Sequence, residues 1–124
     1  MARILVIDDD ALLRGAIRVV LESAGYEVIE AGDGDAGLRL HREPGADLVV
    51  VDLFMPERDG LEVIRAVRAE APQAKIIAMS GGSSLQLDLL DAATAFGASR
   101  ALWKPFAPDM LLATVRALLG ERGL

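Results

Sequence analysis

The chain has 124 residues, a formal net charge of -6 and no cysteine, and 52% of its residues are hydrophobic. This length suits one domain with its own core, the absent cysteines exclude disulfides, zinc–thiolate sites and thiol nucleophiles, and the negative charge argues against sequence-independent binding of nucleic acid. No apolar run approaches the ~20 residues of a membrane-spanning helix and no secretion signal precedes the first strand, so we expect one cytoplasmic domain over residues 1–124 without direct nucleic-acid or membrane partners.

Five short apolar segments alternate with longer segments of helical period. The strand candidates are RILVI (3–7), YEVIEA (26–31), DLVVVD (47–52), KIIAMS (75–80) and RALW (100–103). Between them, apolar residues recur three or four positions apart, as on one face of a helix: Leu13, Ile17, Val20 and Ala24; Ile64, Val67 and Ala71; Leu111, Val115 and Leu118. The alternation predicts five β-strand and helix pairs.

The composition of the strands predicts their order in the sheet. The first, third and fourth strands are apolar throughout, as expected where helices cover both faces of a sheet, whereas the second carries Glu27 and Glu30 and the fifth is short. The second and fifth strands therefore belong at the edges. With right-handed crossovers, this predicts an α/β fold with a five-stranded parallel sheet of order 2-1-3-4-5, flavodoxin-like, with helices on both faces.

Polar residues follow the strands at the edge of the sheet where ligands bind in such folds. Strand ends are followed or closed by Asp8, Asp9 and Asp10, by Asp52, by Ser80 and Gly81, and by Lys104. Because parallel strands end at one edge, we expect these groups to lie together.

Carboxylates that converge repel one another unless a cation is present, and hard oxygen ligands suit Mg²⁺. Lys104 adds a positive charge for a phosphoryl oxygen or, before one arrives, for Asp52. The Ser80 hydroxyl and the Gly81 N–H can donate hydrogen bonds. An aspartate can accept a phosphoryl group as an aspartyl phosphate, so the set predicts a phosphate-receiving site around Asp52. In the simpler alternative, Asp52 is a strand-end acid paired structurally with Lys104.

Four motifs in this order resemble the receiver domain of two-component response regulators, over nearly the whole chain. They are Asp8-Asp9, Asp52-Leu-Phe-Met-Pro with Asp59-Gly60, Ser80, and Lys104-Pro105-Phe106. The resemblance implies a protein that takes a phosphoryl group from a histidine kinase or a histidine phosphotransfer protein.

The resemblance also implies a role for each acid. Asp52 would be the phosphoacceptor and a Mg²⁺ ligand, Asp9 a direct ligand, and Asp8 a ligand acting mainly through water. The backbone carbonyl of Phe54 would complete the metal shell.

Further implications concern the lysine, the serine and the output. Ser80 and Lys104 would hold the phosphoryl oxygens, and the Lys104-Pro105 peptide would be cis. Hydrolysis of the acyl phosphate would reset the protein, which would not otherwise be an enzyme. The signal would leave through the face formed by the fourth helix, the fifth strand and the fifth helix.

One departure from the family concerns switching. Position 101 is alanine, where many receivers carry an aromatic ring, and Trp103 lies on the same side of the strand. Trp103 either fills part of that space or covers the sheet edge. The GGSS segment at 81–84 also lengthens the connection after the fourth strand.

Other residues have plainer interpretations. Asp10 is expected to cap the first helix, and His41 to be a solvated residue in the last turn of the second. A stripe on the fourth helix is expected in the core: Leu85, Leu89, Ala92, Ala93 and Phe96.

Rival functions remain open at this point. A pseudo-receiver would keep the fold as a protein-interaction module without phosphorylation. A flavin-binding protein would need a Ser/Thr/Gly-rich phosphate loop after the first strand, where DDDALLR stands, and an aspartyl phosphohydrolase a second acid two residues after Asp52. A stand-alone regulator and a receiver cut from a longer protein fit the sequence equally.

Overall fold

A computed structural model of the chain describes residues 2–55, 60–81 and 92–120. Its strands are β1 (Arg3–Ile7), β2 (Glu27–Ala31), β3 (Leu48–Asp52), β4 (Lys75–Ser80) and β5 (Arg100–Trp103). The helices are α1 (Ala11–Ser23), α2 (Gly34–Arg42), α3 (Gly60–Glu70) and α5 (Pro108–Leu119), and residues 92–96 are helical and are called α4. None of the helices in these ranges is long and apolar enough to cross a membrane.

The five strands form one sheet in the order β2-β1-β3-β4-β5, and every neighbouring pair is parallel. The predicted flavodoxin-like order is confirmed, with the glutamate-bearing β2 and the short β5 at the edges. In the register, Ile7 lies beside both Ala31 and Val51, and Asp52 lies beside Met79. The carboxyl ends of β1 and β3 are therefore neighbours at one edge of the sheet.

Two clusters of buried residues cover the two faces of the sheet in the described part of the chain. Alternate residues of a strand point to opposite faces, so Leu5 and Ile7 pack with residues of α2 and α3, while Ile4 and Val6 pack with residues of α1 and α5. All four are 0% exposed. Burying one such side chain stabilises the fold by about 1.5–3 kcal/mol, so this strand is a rigid base for the residues that follow it.

Aspartate side chains begin the two helices that follow β1 and β2. Asp10 Oδ1 accepts from the N–H groups of Leu12 at 3.0 Å and Leu13 at 3.2 Å, and Asp33 Oδ1 accepts from that of Ala36 at 2.8 Å. These bonds satisfy amide groups that have no partner within the first helical turn. The predicted capping role of Asp10 is confirmed.

Two predictions about side-chain burial were wrong. Phe96 is 41% exposed, because it lies on the outer side of α4 where the guanidinium of Arg65 stands 6.0 Å from its ring centre. His41 does lie in the last turn of α2, but it is half-buried, and burial lowers the pKa of its imidazole. Of the rest of the predicted stripe, Ala93 is buried and Ala92 partly so, while Leu85 and Leu89 lie outside the described residues.

Candidate functional site

Three carboxylates meet where β1 and β3 end. Asp8 and Asp9 follow β1 and Asp52 is the last residue of β3, and one carboxylate oxygen from each lies within 4.8 Å of those of the other two. Asp8 is 0% exposed and Asp52 is 5% exposed, whereas Asp9 is open to solvent. The structure thus brings together the three acids that the sequence predicts as metal ligands, two inside the protein and one at its surface.

Lys104 brings a positive charge to the two buried acids. Its Nζ lies 3.1 Å from Asp8 Oδ2 and 3.3 Å from Asp52 Oδ2. The Lys104 N–H donates to the carbonyl of Ser80 at 2.6 Å, which holds the end of β5 against β4, and the peptide to Pro105 is cis, as the resemblance implies. The contact with Asp52 was expected, and the closer contact with Asp8 is new.

Backbone amides bond to the carboxylate oxygens of the same two acids that Lys104 does not contact most closely, which are the Oδ1 atoms. Asp8 Oδ1 accepts from the N–H of Asp10 at 2.9 Å, and Asp52 Oδ1 accepts from that of Phe54 at 3.2 Å. In each case an aspartate bonds to the amide two residues on, which is a stable local turn. Phe54, whose carbonyl is the fourth predicted ligand, therefore lies in the turn that orients Asp52, and it is 59% exposed.

Ser80 ends the neighbouring strand β4, and Gly81 follows it. Ser80 is 0% exposed. In the register of β3 and β4, Asp52 lies beside Met79, the residue before Ser80. Ser80 is thus at the same edge of the sheet as the acids, as predicted. The rest of the GGSS segment, residues 82–84, lies outside the described residues, as does Asp59 of the predicted motif.

Gly60 packs directly on the backbone that carries Asp52. A Cβ at this position would lie 2.3 Å from the Asp52 carbonyl oxygen and 2.6 Å from the Cα of Leu53. The Gly60 N–H also donates to the Leu53 carbonyl at 3.1 Å. Only glycine allows α3 to begin so close to the strand end, so this contact holds Asp52 in place.

The charges of the site do not balance within the described residues. Burial raises the pKa of Asp52 above its ordinary value and the nearby Asp8 raises it further, although Lys104 and the Phe54 amide act in the opposite direction. Three carboxylates thus face one ammonium group. Carboxylate oxygens in excess of positive charge are a donor set that fits a hard divalent cation such as Mg²⁺.

Sequence reasoning missed one residue next to the site. The guanidinium of Arg14 donates from Nη1 to the carbonyl of Asp8 at 2.7 Å, and from Nε to Glu30 at 2.9 Å. A signal was present, because Arg14 and Arg18 stand four residues apart on one helix face and Glu30 is an acid within a strand. A pairing between them could have been proposed from the predicted packing of that helix on the edge strand.

Known proteins match this chain over most of its length. The family model for the response regulator receiver domain matches residues 4–116. Response regulator MprA of Mycolicibacterium vanbaalenii is 42% identical over 119 residues, which cover 94% of this chain and 50% of that protein. The DNA-binding response regulator MtrA of Mycolicibacterium paratuberculosis is 38% identical over 119 residues, which cover 94% of this chain and 51% of that protein. The chain thus spans about half the length of these curated relatives.

Solved structures show the same similarity in three dimensions. A receiver domain protein from Clostridium thermocellum superposes with a TM-score of 0.87 at 30% identity, covering 97% of this chain and 95% of that one. Chemotaxis response regulator CheY4 of Vibrio cholerae superposes with a TM-score of 0.85 at 31% identity, covering 95% of this chain and 98% of that one. Sequence and structure therefore point to one family.

Proposed function

The chain belongs to the receiver-domain family of two-component response regulators, and we propose that it accepts a phosphoryl group on Asp52 from a histidine kinase or a histidine phosphotransfer protein. The observation that carries this proposal is the convergence of Asp8, Asp9 and Asp52 within 4.8 Å, with Lys104 beside both buried acids. The packing of the described residues does not account for three carboxylates at this point, and carboxylates that converge repel one another. Their purpose is therefore chemical.

The metal of this proposal is Mg²⁺, which the carboxylates of Asp9 and Asp52 and the carbonyl of Phe54 would hold directly and Asp8 mainly through water. When bound, Mg²⁺ offsets the negative charge of the acids and of the incoming phosphoryl oxygens. Asp8 is buried, and the Asp10 N–H and the Lys104 ammonium group each contact one of its carboxylate oxygens, so its negative charge has a fixed position. The exposed Asp9 is accessible to an ion arriving from solvent.

In the transfer, a carboxylate oxygen of Asp52 attacks the phosphorus atom of the donor's phosphohistidine. The new P–O bond forms as the P–N bond breaks, and the donor imidazole leaves with the electron pair and takes up a proton. Lys104, already 3.3 Å from Asp52, is placed to pair with a phosphoryl oxygen as charge moves onto the group, and the Ser80 hydroxyl donates to another. Water later hydrolyses the acyl phosphate and resets Asp52.

The output follows from the same proposal. We assign it to the face formed by α4, β5 and α5. In this proposal, residues 1–124 act as one receiver domain. Its cytoplasmic location stays a prediction. Ala101 and Trp103 are exposed on one side of β5, whereas Leu102 between them is buried. Because residue 101 is alanine, it has no aromatic ring that could fill the space left when Ser80 moves toward the phosphoryl group. The contacts of Ser80, Gly81 and Lys104 with that group must therefore shift the equilibrium between the unphosphorylated and the phosphorylated conformation.

The pseudo-receiver alternative has less support. A protein-interaction module has no need of a complete set of acids, lysine and serine at one edge of the sheet. The flavin-binding alternative has less support too, because the segment after β1 delivers carboxylates and a helix cap instead of a phosphate-binding loop. The phosphohydrolase alternative needs an acid two residues after Asp52, where Phe54 stands.

The test is incubation with acetyl phosphate and Mg²⁺, followed by mass measurement of the intact protein. We expect one phosphoryl adduct in the wild type, and none after Asp52→Asn or without Mg²⁺. Asp47→Asn is the matched control, because Asp47 is an exposed acid at the amino ends of the strands, away from the site. Its carboxylate accepts a hydrogen bond from the backbone N–H of Arg3 at 2.7 Å. This variant should label like the wild type. If the wild type gains no adduct under conditions that label another receiver, the pseudo-receiver is the better description.

A further inference from the structure

Arg14 on α1 connects the acidic segment to the edge strand β2. Its Nη1 donates to the carbonyl oxygen of Asp8 at 2.7 Å, and its Nε donates to Glu30 Oε1 at 2.9 Å. The side chains of Arg14 and Glu30 are 20% and 23% exposed, so the pair is largely shielded from water. A guanidinium has several donors in a rigid plane and can make both bonds at once.

The carbonyl that Arg14 binds belongs to the peptide between Asp8 and Asp9. Because a peptide unit is planar, holding its oxygen fixes the plane from which the chain continues to Asp9. Asp8 itself is held elsewhere: its N–H donates to the Ala31 carbonyl at 3.1 Å, and its carboxylate contacts the Asp10 amide and Lys104. The exposed Asp9 therefore depends on this plane for its position relative to the two buried acids.

Glu30 gives Arg14 a rigid anchor. In the register of β1 and β2, Glu30 lies beside Val6, two residues before Asp8. Glu30 Oε2 also accepts from Arg18 Nη1 at 2.8 Å, so both of its oxygens are paired, and these bonds lower the pKa of its carboxyl group.

We propose that Arg14 is a positioning residue for the Mg²⁺ site: through the Asp8 carbonyl it sets the direction of Asp9 relative to Asp8 and Asp52. This inference rests on the proposed function, because it assigns a metal site to the three acids. It makes a prediction opposite in sign to that of simple electrostatics. Removing a positive charge near a cation site should strengthen Mg²⁺ binding, whereas losing the position of a ligand should weaken it.

Arg18 provides a matched control for Arg14. Both arginines lie on α1, both carry one positive charge and both bind Glu30, at 2.9 Å and 2.8 Å, but the contact with the Asp8 carbonyl belongs to Arg14. Arg14→Met and Arg18→Met therefore remove the same charge and differ in that contact. Arg14→Lys keeps the charge, but its single ammonium group cannot reproduce the two-armed bridge.

The experiment is a Mg²⁺ titration of each folded protein by calorimetry, with Trp103 fluorescence as a second readout. We expect Arg14→Met to bind Mg²⁺ about tenfold more weakly than the wild type, the lower end of the range for residues that orient metal ligands. Arg14→Lys should fall between them, and Arg18→Met should bind as tightly as the wild type or more tightly. A urea unfolding curve for each variant shows that the comparison is made between folded proteins.

Equal Mg²⁺ affinity in Arg14→Met and Arg18→Met would overturn the positioning role and leave the proposed function intact. Wild-type protein that binds no Mg²⁺ and gains no phosphoryl adduct would overturn the proposed function and this inference with it. If Arg14→Met does not fold, Arg14→Lys decides: affinity equal to that of the wild type would show that charge suffices, and weaker binding would support the bridge.

Discussion

The two ends of the sheet both carry charged residues, but the charges are arranged differently. At the amino end, the guanidinium of Arg3 pairs with Glu27 and donates to the carbonyls of Pro44 and Gly45, while its N–H donates to Asp47. Glu27 and Asp47 are exposed. At the carboxyl end, two of the three acids are buried, and among the described residues Lys104 is the cation that contacts their carboxylate groups.

Under the proposed function, this difference would separate charges that serve the fold from charges that serve the phosphoryl transfer. Exposed charges and exposed ion pairs change stability little, because water screens them in both the folded and the unfolded chain. Buried and unbalanced acids lower stability and persist only where packing and hydrogen bonds hold them. These energetics support the proposal that the carboxyl end is the functional end, and substitutions at the two ends should change stability by different amounts.

The largest expected effect is that of Gly60→Ala, at the packed carboxyl end. The new Cβ would meet the backbone of Asp52 at 2.3 Å, and backbone cannot rotate away as a side chain can. We expect a loss of about 3 kcal/mol in the free energy of unfolding, the upper part of the range for overpacking, measured by urea denaturation. In the control Gly15→Ala, on α1, the new Cβ would meet nothing within 4 Å, and stability should rise by up to about 1 kcal/mol. Equal effects of the two substitutions would show that Asp52 is not held by this contact.

Next in size is Lys104→Met. Removing the ammonium group leaves Asp8 and Asp52 without their shared positive partner, so the protein without Mg²⁺ should lose about 2 kcal/mol at neutral pH; the 23% exposure of the Lys104 side chain keeps the loss below that of a fully buried pair. Added Mg²⁺ should restore part of the stability. Thermal unfolding with and without Mg²⁺ measures both. A variant as stable as the wild type would mean that the acids need no compensation.

Asp52→Asn should stabilise the protein, in contrast to most substitutions of buried residues. Because burial raises the pKa of Asp52, its charged form destabilises the folded state, and the neutral asparagine removes that penalty. We expect a gain of about 1 kcal/mol at pH 7 without Mg²⁺, within the range of single stabilising substitutions.

The pH dependence of that gain provides its check. A raised folded pKa means that wild-type stability is complete below the unfolded value of about 4 and declines as the pH rises through the folded pKa. The difference in melting temperature between Asp52→Asn and the wild type should therefore vanish below about pH 4 and grow above it. A difference that is the same at pH 3 and pH 7 would contradict the charge explanation.

The smallest effect is expected at the amino end. Glu27 is exposed and pairs with Arg3, so Glu27→Gln should change the free energy of unfolding by less than about 1 kcal/mol. Salt should shrink the difference further, since it screens exposed charges. A loss as large as that of Lys104→Met would remove the contrast between the two ends.

Much of the fold and of the candidate site could be predicted from the sequence. Strands that are apolar throughout and strands that carry Glu27 and Glu30 differ in how many faces they can bury, and this sets the order of the sheet. The strand ends were predicted within one residue: β2 begins at Glu27 and not at Tyr26, because the Tyr26 amide donates to the Leu21 carbonyl at the end of α1. Asp10 was correctly predicted as a cap because capping depends on residues close in sequence.

What depended on distant contacts could not be predicted in the same way. Phe96 is 41% exposed and lies beside Arg65, which belongs to another helix, so its surroundings are set by how the two helices pack. The bridge from Glu30 through Arg14 to the Asp8 carbonyl joins β2, α1 and the end of β1, and its target is a backbone oxygen, which carries no mark in the sequence.

The sequence by itself determined the type and order of the elements and which acids could gather at the carboxyl end of the sheet, because hydrophobic period and the number of apolar faces of each strand are properties of local composition. Only the tertiary structure decided how these acids are buried and how their charges are compensated. Asp8 and Asp52 are buried and share Lys104, whereas Asp9 is open to solvent. Gly60 packs on the backbone of Asp52, and Arg14 bonds to the carbonyl of Asp8. The reason is that burial and charge compensation depend on distances between elements far apart in the chain, which packing sets.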